Sequence, residues 1–284
     1  MRICWWISAF LALAGCSPRT LALRTTASLL DKGASAFYEE PDPELAREAM
    51  ASQLKLVEAL LKNEPQNSSL LELAAQGFGG YAFLFVEDAQ PDRAKGFYAR
   101  GRDYGVRLAG RNGALAGLDH LALGPLQEKL KQTTAADAPG LFWTAYGWAG
   151  LINLSKDSPD SVAALPKVAS IMRRVEEVSP GYFHGGPNLF LGTYYSALPK
   201  MLGGDPVKSK QYFEAAIRQG EGHFDIAKVL FAKYYAVAVQ DPALFKQLNE
   251  QVLASQDKTA DVRLANEVAK LKAKRLMEKM NELF

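Results

Sequence analysis

The 284-residue chain has only two cysteines, Cys4 and Cys16, and three histidines, His120, His184 and His223, set far apart. Both cysteines stand in the first sixteen residues, so the body of the chain can form no disulfide and must be held by its core. The same scarcity removes zinc-type ligand spacing and a Cys–His nucleophile pair, and no metal is expected. There is no Gly-x-Ser-x-Gly elbow and no Walker-type Gly-Lys-Ser/Thr. Gly77-Phe78-Gly79-Gly80-Tyr81-Ala82 fits the loose dinucleotide fingerprint, but that motif works only after a strand, and residues 69–75 read as helix. No cofactor is expected, and no residue is assigned a catalytic role: the reading is of a noncatalytic protein. Charge of one sign is also lacking. With 33 basic and 31 acidic side chains, net +2, there is no electrostatic case for nucleic acid. Beyond the N-terminus no apolar run is expected to be long enough to span a bilayer.

What is present begins at the N-terminus. Arg2 precedes an apolar run over residues 3–14 that ends in Leu13-Ala14-Gly15-Cys16. A short charged start, about a dozen apolar residues and a small-residue cleavage site make a secretory signal peptide. The Gly-Cys ending resembles the bacterial lipobox, in which cleavage leaves an acylated cysteine as the first mature residue. Residues 1–15 are therefore expected to be removed and Cys16 lipidated. Each buried acyl methylene contributes about 0.8 kcal/mol, so several chains make a durable anchor. Ser17 is not the Asp associated with inner-membrane retention, which favours the outer membrane, with the body facing the periplasm.

After a tether over residues 16–24, the chain reads as helix, forming one domain over residues 25–284. Leu45, Ala49, Leu54, Val57 and Leu61 recur near the helical period. Asp42-Pro43, Gln90-Pro91, Ser158-Pro159, Asp205-Pro206 and Asp241-Pro242 each mark a helix start, because proline at the first helical position removes an N–H that has no partner there. Helix pairs at a spacing in the mid-thirties indicate an all-α, tetratricopeptide-like solenoid. Gly77, Gly79, Gly80, Gly147, Gly150 and Gly192 are expected where helices cross closely. Residues 234–239, though rich in aromatic and β-branched types, read as helix from their flanks. The last helix, from Asp261, sets Ala265, Ala269, Leu276, Met280 and Leu283 on one side with Lys270, Lys272, Lys274 and Lys279 around it; it caps the solenoid or packs on a neighbouring subunit. Arg93, Lys95, Arg100, Arg102, Arg107 and Arg111 make a basic helix, read as a solvated face rather than a contact for an acidic partner.

Three segments combine aromatic side chains with glycine: residues 78–85, 141–153 and 182–195. Tyrosine and tryptophan join a large apolar body to a polar tip, a useful lining for a ligand cleft, although core packing uses the same residues. Helical spacing sets Tyr81 beside Phe85 and Trp143 near Tyr146. With His184, Asn188 and Tyr195 from the third segment, these seven are the candidate ligand contacts. His184 stands ahead of a helix that Pro187 opens, where it either meets a ligand carboxylate or ties down its own loop.

Leu141-Phe142-Trp143-x-Ala145-x-Gly147-Trp148, the His184-Gly185-Gly186-Pro187 turn followed by Leu191-Gly192, and Leu198-Pro199 with Gly203-Gly204-Asp205-Pro206 and Tyr212-Phe213 resemble the TatT family. These are the T components of tripartite ATP-independent periplasmic (TRAP) transporters. The resemblance spans nearly the whole mature chain. It implies a self-associating periplasmic lipoprotein of tetratricopeptide-like repeats, partnered with a periplasmic substrate-binding component and holding, in a cleft or pore, an apolar small ligand with or without an acidic group. It brings no catalytic residues. The competing expectation is a helical scaffold for envelope proteins that binds no small molecule.

Overall fold

The computed structural model describes residues 33–256 and 259–284, so the signal segment and Cys16 lie outside the described residues. The described chain is all-α, with no strand among those residues. The main helices are α1 (Pro43–Leu61), α2 (Ser68–Tyr81), α3 (Pro91–Ala109), α4 (Leu123–Leu130), α5 (Ala138–Asn153), α6 (Leu165–Val178), α7 (Tyr182–Ala197), α8 (Pro206–Gln219), α9 (Ile226–Leu230), α10 (Pro242–Leu253) and α11 (Arg263–Glu278). Each of the five Asp/Gln/Ser-Pro pairs opens a helix with proline in its first turn. Asp42, Ser158, Asp205 and Asp241 also accept bonds from free N–H groups of that turn, whereas Gln90 does not. Residues 234–238 are helical, as their flanks required, and Val239 begins the turn that follows.

Most helices pack on their neighbours in sequence, as α1 on α2, α2 on α3, α5 on α6 and α7 on α8. Such pairing is what short connections between helices produce. The array does not stay open. Leu264 and Val268 of α11 join the core formed by α1, α2 and α3, and α11 also meets the short helix Ser35–Tyr38. The last helix thus caps the array by returning to its first helices.

Details of the expected faces shift. On α1 the buried stripe is Ala46, Met50, Leu54, Val57 and Leu61, while Leu45 is exposed. Leu45 and Ala49 stand one residue, about 100° of rotation, off the face that Leu54 fixes. On α11 the buried set is Leu264, Asn266, Val268, Ala269, Lys272 and Ala273, so Lys272 belongs to the packed side and not to the solvated one. Residues Ser68–Val86 are in fact long and apolar enough to cross a membrane by length and composition, against the sequence expectation. Leu70, Leu71, Ala74 and Phe78 in that stretch are instead buried in the protein core.

Close crossings explain the glycines of the central helices. A Cβ at Gly147 of α5 would lie 2.5 Å from the Arg102 backbone nitrogen on α3, and one at Gly105 of α3 would lie 2.5 Å from that of Thr144. Gly77, Gly79, Gly150 and Gly192 likewise face side chains of other helices, but nothing lies near Gly80, which marks no crossing. With two glycine-backed helices so close, α5 is buried on nearly every side.

The basic residues of α3 are structural ties more than a free face. Arg100 lies over the Phe78 ring at 4.0 Å and bonds Glu58 of α1. Arg107 donates to the Pro65 carbonyl at 2.7 Å, and Arg111 to that of Gln66. Lys55 and the Tyr104 hydroxyl also bond Glu58, at 2.6 and 3.0 Å. Burial opposes ionisation of Glu58, but the bonds from Lys55, Arg100 and Tyr104 outweigh it and hold the carboxyl at about 2 instead of 4.5. A carboxyl depressed on folding stabilises fully above its unfolded pKa, and that contribution fades as pH falls toward the folded value. Thermal melts should therefore lose stability between about pH 4.5 and 2, and Glu58→Gln should flatten the loss in that window. An unchanged acid profile in the variant would refute the assignment.

Candidate aromatic and ionic interior

The α2 helix continues through a π-helical turn, Ala82–Val86, in which the Glu87 N–H donates to the Ala82 carbonyl at 2.9 Å. A second π turn, Phe231–Ala236, continues α9. A π turn holds one extra residue and changes which side chains face a neighbouring helix. At the end of the first turn Glu87 and Asp88 meet α11. Lys272 Nζ lies 3.3 Å from Glu87 Oε1 and 2.8 Å from Asp88 Oδ2, and 4.6 Å from the centre of the Phe83 ring. The Tyr98 hydroxyl donates to Glu87 Oε2 at 2.5 Å, and Arg275 reaches Asp88 at 3.2 Å. The side chains of Lys272 and Glu87 are 8% and 9% exposed, so this is a buried ion pair. Burial opposes ionisation of Asp88, yet Lys272, with Lys233 and Arg275, outweighs it and lowers that carboxyl.

A row of rings leads inward from this pair. Tyr98 stands 6.2 Å from Tyr146 between ring centres, and Tyr146 is 5.3 Å from Trp143 and 6.0 Å from Phe142. Tyr146 also abuts Gly79, where a Cβ would come within 3.0 Å of its ring. Trp143 meets Phe183 edge-on at 4.8 Å, and Phe183 lies 5.7 Å from His184, which stacks on Phe224 at 5.0 Å. Backbone geometry aims the far end of the row. Phe183, His184 and Gly185 all have positive φ, forming a left-handed turn before the regular helix that Pro187 continues. Burial drives the phenols of Tyr98 and Tyr146 well up and that of Tyr234 to about 12, with Glu87 adding to all three. Burial lowers His184, against an opposing pull from Asp261, so the imidazole is neutral at pH 7.

The seven candidate residues divide into separate groups. Trp143, Tyr146 and His184 share the row just described. Trp143 is 1% exposed, and its Nε1 donates to the Tyr182 hydroxyl at 3.1 Å, which in turn donates to Glu72 at 3.1 Å. Asn188 is equally buried and donates to Gln219 at 2.8 Å, tying α7 to α8. Tyr81 and Phe85 pack together at 5.5 Å, with Phe97 5.1 Å from Tyr81. Tyr195 lies apart again, parallel to Tyr212 at 5.6 Å with Arg173 on its hydroxyl. Two open surface grooves, of about 440 and 400 Å³, are lined by none of the seven. Among the described residues no His, Cys, Asp or Glu cluster has a metal-binding arrangement.

Sequence reasoning overlooked Glu87, Lys272 and Tyr234. One signal was available for Lys272: it stands four residues after Val268 on the apolar stripe of α11. Nothing local distinguishes Glu87, whose partners come from residues 98 and 272.

A protein of Treponema pallidum (strain Nichols), described as "Uncharacterized protein", is 25% identical over 286 aligned positions, covering 88% of this chain and 87% of that one. The family described as TRAP transporter T-component matches residues 39–284, which takes in all the helices that build the aromatic row and its ionic end. A match of that extent settles the relationship: the chain belongs to the TRAP transporter T-component family.

Proposed function

We propose that this TRAP accessory is a lipid-anchored, periplasm-facing protein that holds an apolar or amphipathic small ligand along the interior ring row. It delivers or receives that ligand beside a periplasmic substrate-binding partner. Cys16 carries the anchor, the outer membrane is the preferred site, and the protein works as a homo-oligomer. Tyr146 carries the reading. Its ring packs among those of Tyr98, Phe142 and Trp143 and against Gly79, yet it keeps part of its surface accessible. Tyr234, in the second π turn, likewise keeps part of its surface accessible. Aromatic, largely apolar walls with a few polar groups suit a ligand of that kind. Lys272, Lys233 and Arg275 outnumber Glu87 and Asp88 at one end, which favours the anionic end of an amphipathic ligand there. His184, being neutral, offers a hydrogen bond without charge at the other.

The test uses delipidated protein and saturated fatty acids of graded length. Wild type should gain thermal stability with the longer chains, and mass spectrometry of purified protein should find a bound lipid. Tyr146→Ala should reduce the ligand-induced shift at least severalfold while partner binding stays intact. If wild type shows no shift and carries no lipid, the scaffold alternative, a helical array that assembles envelope proteins without a small molecule, takes its place.

A further inference from the structure

Among the described residues the three most exposed large apolar side chains fall within seven positions: Met201 at 89%, Leu202 at 66% and Val207 at 68%. Met201 and Leu202 occupy the connection between α7 and α8, and Val207 stands in the first turn of α8. The backbone of the connection is closed on itself. The Leu202 and Gly204 N–H groups both donate to the Pro199 carbonyl, at 2.9 and 3.0 Å, and Asp205 N–H donates to Tyr195 at 3.1 Å. Gly203 supplies the positive φ of 95° that reverses the chain after the turn Lys200–Leu202. The result is a tied, outward tip that presents methionine and leucine to solvent. Exposed lysines flank it along the chain: Lys200, Lys208 and Lys210. Asp205 caps α8 through Val207 and Lys208 N–H groups and sits 3.7 Å from Lys208, while Lys210 reaches Glu214 at 4.0 Å. Lys200 pairs with no carboxylate among the described residues.

We infer that this tip is a membrane contact: Met201, Leu202 and Val207 enter the interface of an anionic bilayer while Lys200, Lys208 and Lys210 face lipid phosphates. A cluster of strongly exposed apolar side chains marks an interaction site. Protruding apolar side chains can enter a deformable acyl layer, and lysine stems can lie along apolar surface with their charges at the phosphates. Sixteen residues separate Cys16 from Gly33, a tether of at most about 60 Å when extended. The contact would fix how the body stands on the membrane, which an acyl chain on a long tether does not do. The inference stands without the ligand reading, because no ring-row residue belongs to the tip.

Vesicle sedimentation of the chain from residue 16 onward, carrying Cys16→Ser to prevent acylation, tests it. Vesicles of phosphatidylglycerol and phosphatidylcholine should bind the protein in a salt-sensitive way, and phosphatidylcholine alone should bind it at least tenfold less. Met201→Asp with Leu202→Asp should cut the partition coefficient at least tenfold at unchanged melting temperature and unchanged oligomeric state. As an independent measurement, a polarity-sensitive dye on Met201→Cys, the sole thiol in that background, should shift to the blue on anionic vesicles. No binding by the parent protein, equal binding by the double variant, or no dye shift would each overturn the inference. So would a change of oligomeric state with vesicle binding intact, which would make the tip a contact between copies.

Discussion

Lys272→Met is expected to cost about 3–5 kcal/mol of stability, because removing one partner strands the other buried charge. Glu87 would keep the Tyr98 hydroxyl but lose its cation, and Asp88 would keep only the more exposed Arg275. Coupling Lys272→Met to Glu87→Gln should recover part of the loss, since a neutral amide in that site needs no counter-ion. The measurement is chemical denaturation of the single and double variants. If Lys272→Met loses under about 1 kcal/mol, the range of an exposed pair, the seam between the first and last helices is not held as described. Limited proteolysis should agree, with cuts appearing near residues 255–260 as α11 loosens from α1 and α2.

Trp143→Ala is the second large effect, also about 3–5 kcal/mol, from a cavity in the middle of α5. The ring is enclosed by Phe142, Tyr146 and Phe183, and its N–H is committed to Tyr182. Trp143→Phe should recover much of that loss by refilling volume. Neither variant should alter ligand response as directly as Tyr146→Ala, because Trp143 has almost no accessible surface. A Trp143→Ala protein of near-normal stability that has lost its ligand would reverse these two roles.

Much of the architecture was legible from local rules. Proline after Asp, Gln or Ser marked five helix starts, because those positions are governed by backbone N–H groups within one turn. The stripe on α1 was legible from Leu54 onward and misplaced before it, since Leu45 and Ala49 are apolar enough to mimic the face that Ala46 and Met50 actually bury. The α3 arginines read as a solvated face because sequence shows a run of charge but not the carbonyls and rings above which it lies. The aromatic segments were visible as composition, yet composition could not say that Trp143, Tyr146 and His184 share one row while Tyr81 and Tyr195 stand elsewhere.

The amino-acid sequence alone determined the helical class, the helix starts, the family resemblance and the lack of any cysteine after Cys16. Each of these depends on residue type or on spacing within a turn or two. Only the tertiary structure decided that the array closes on itself, that Lys272 leaves the lysine-rich side of α11 for the interior, and that Glu87 is its partner. That pairing joins positions 185 residues apart. Its energy depends on burial and on a helix register altered by a π turn, neither of which is written in the residues on either side.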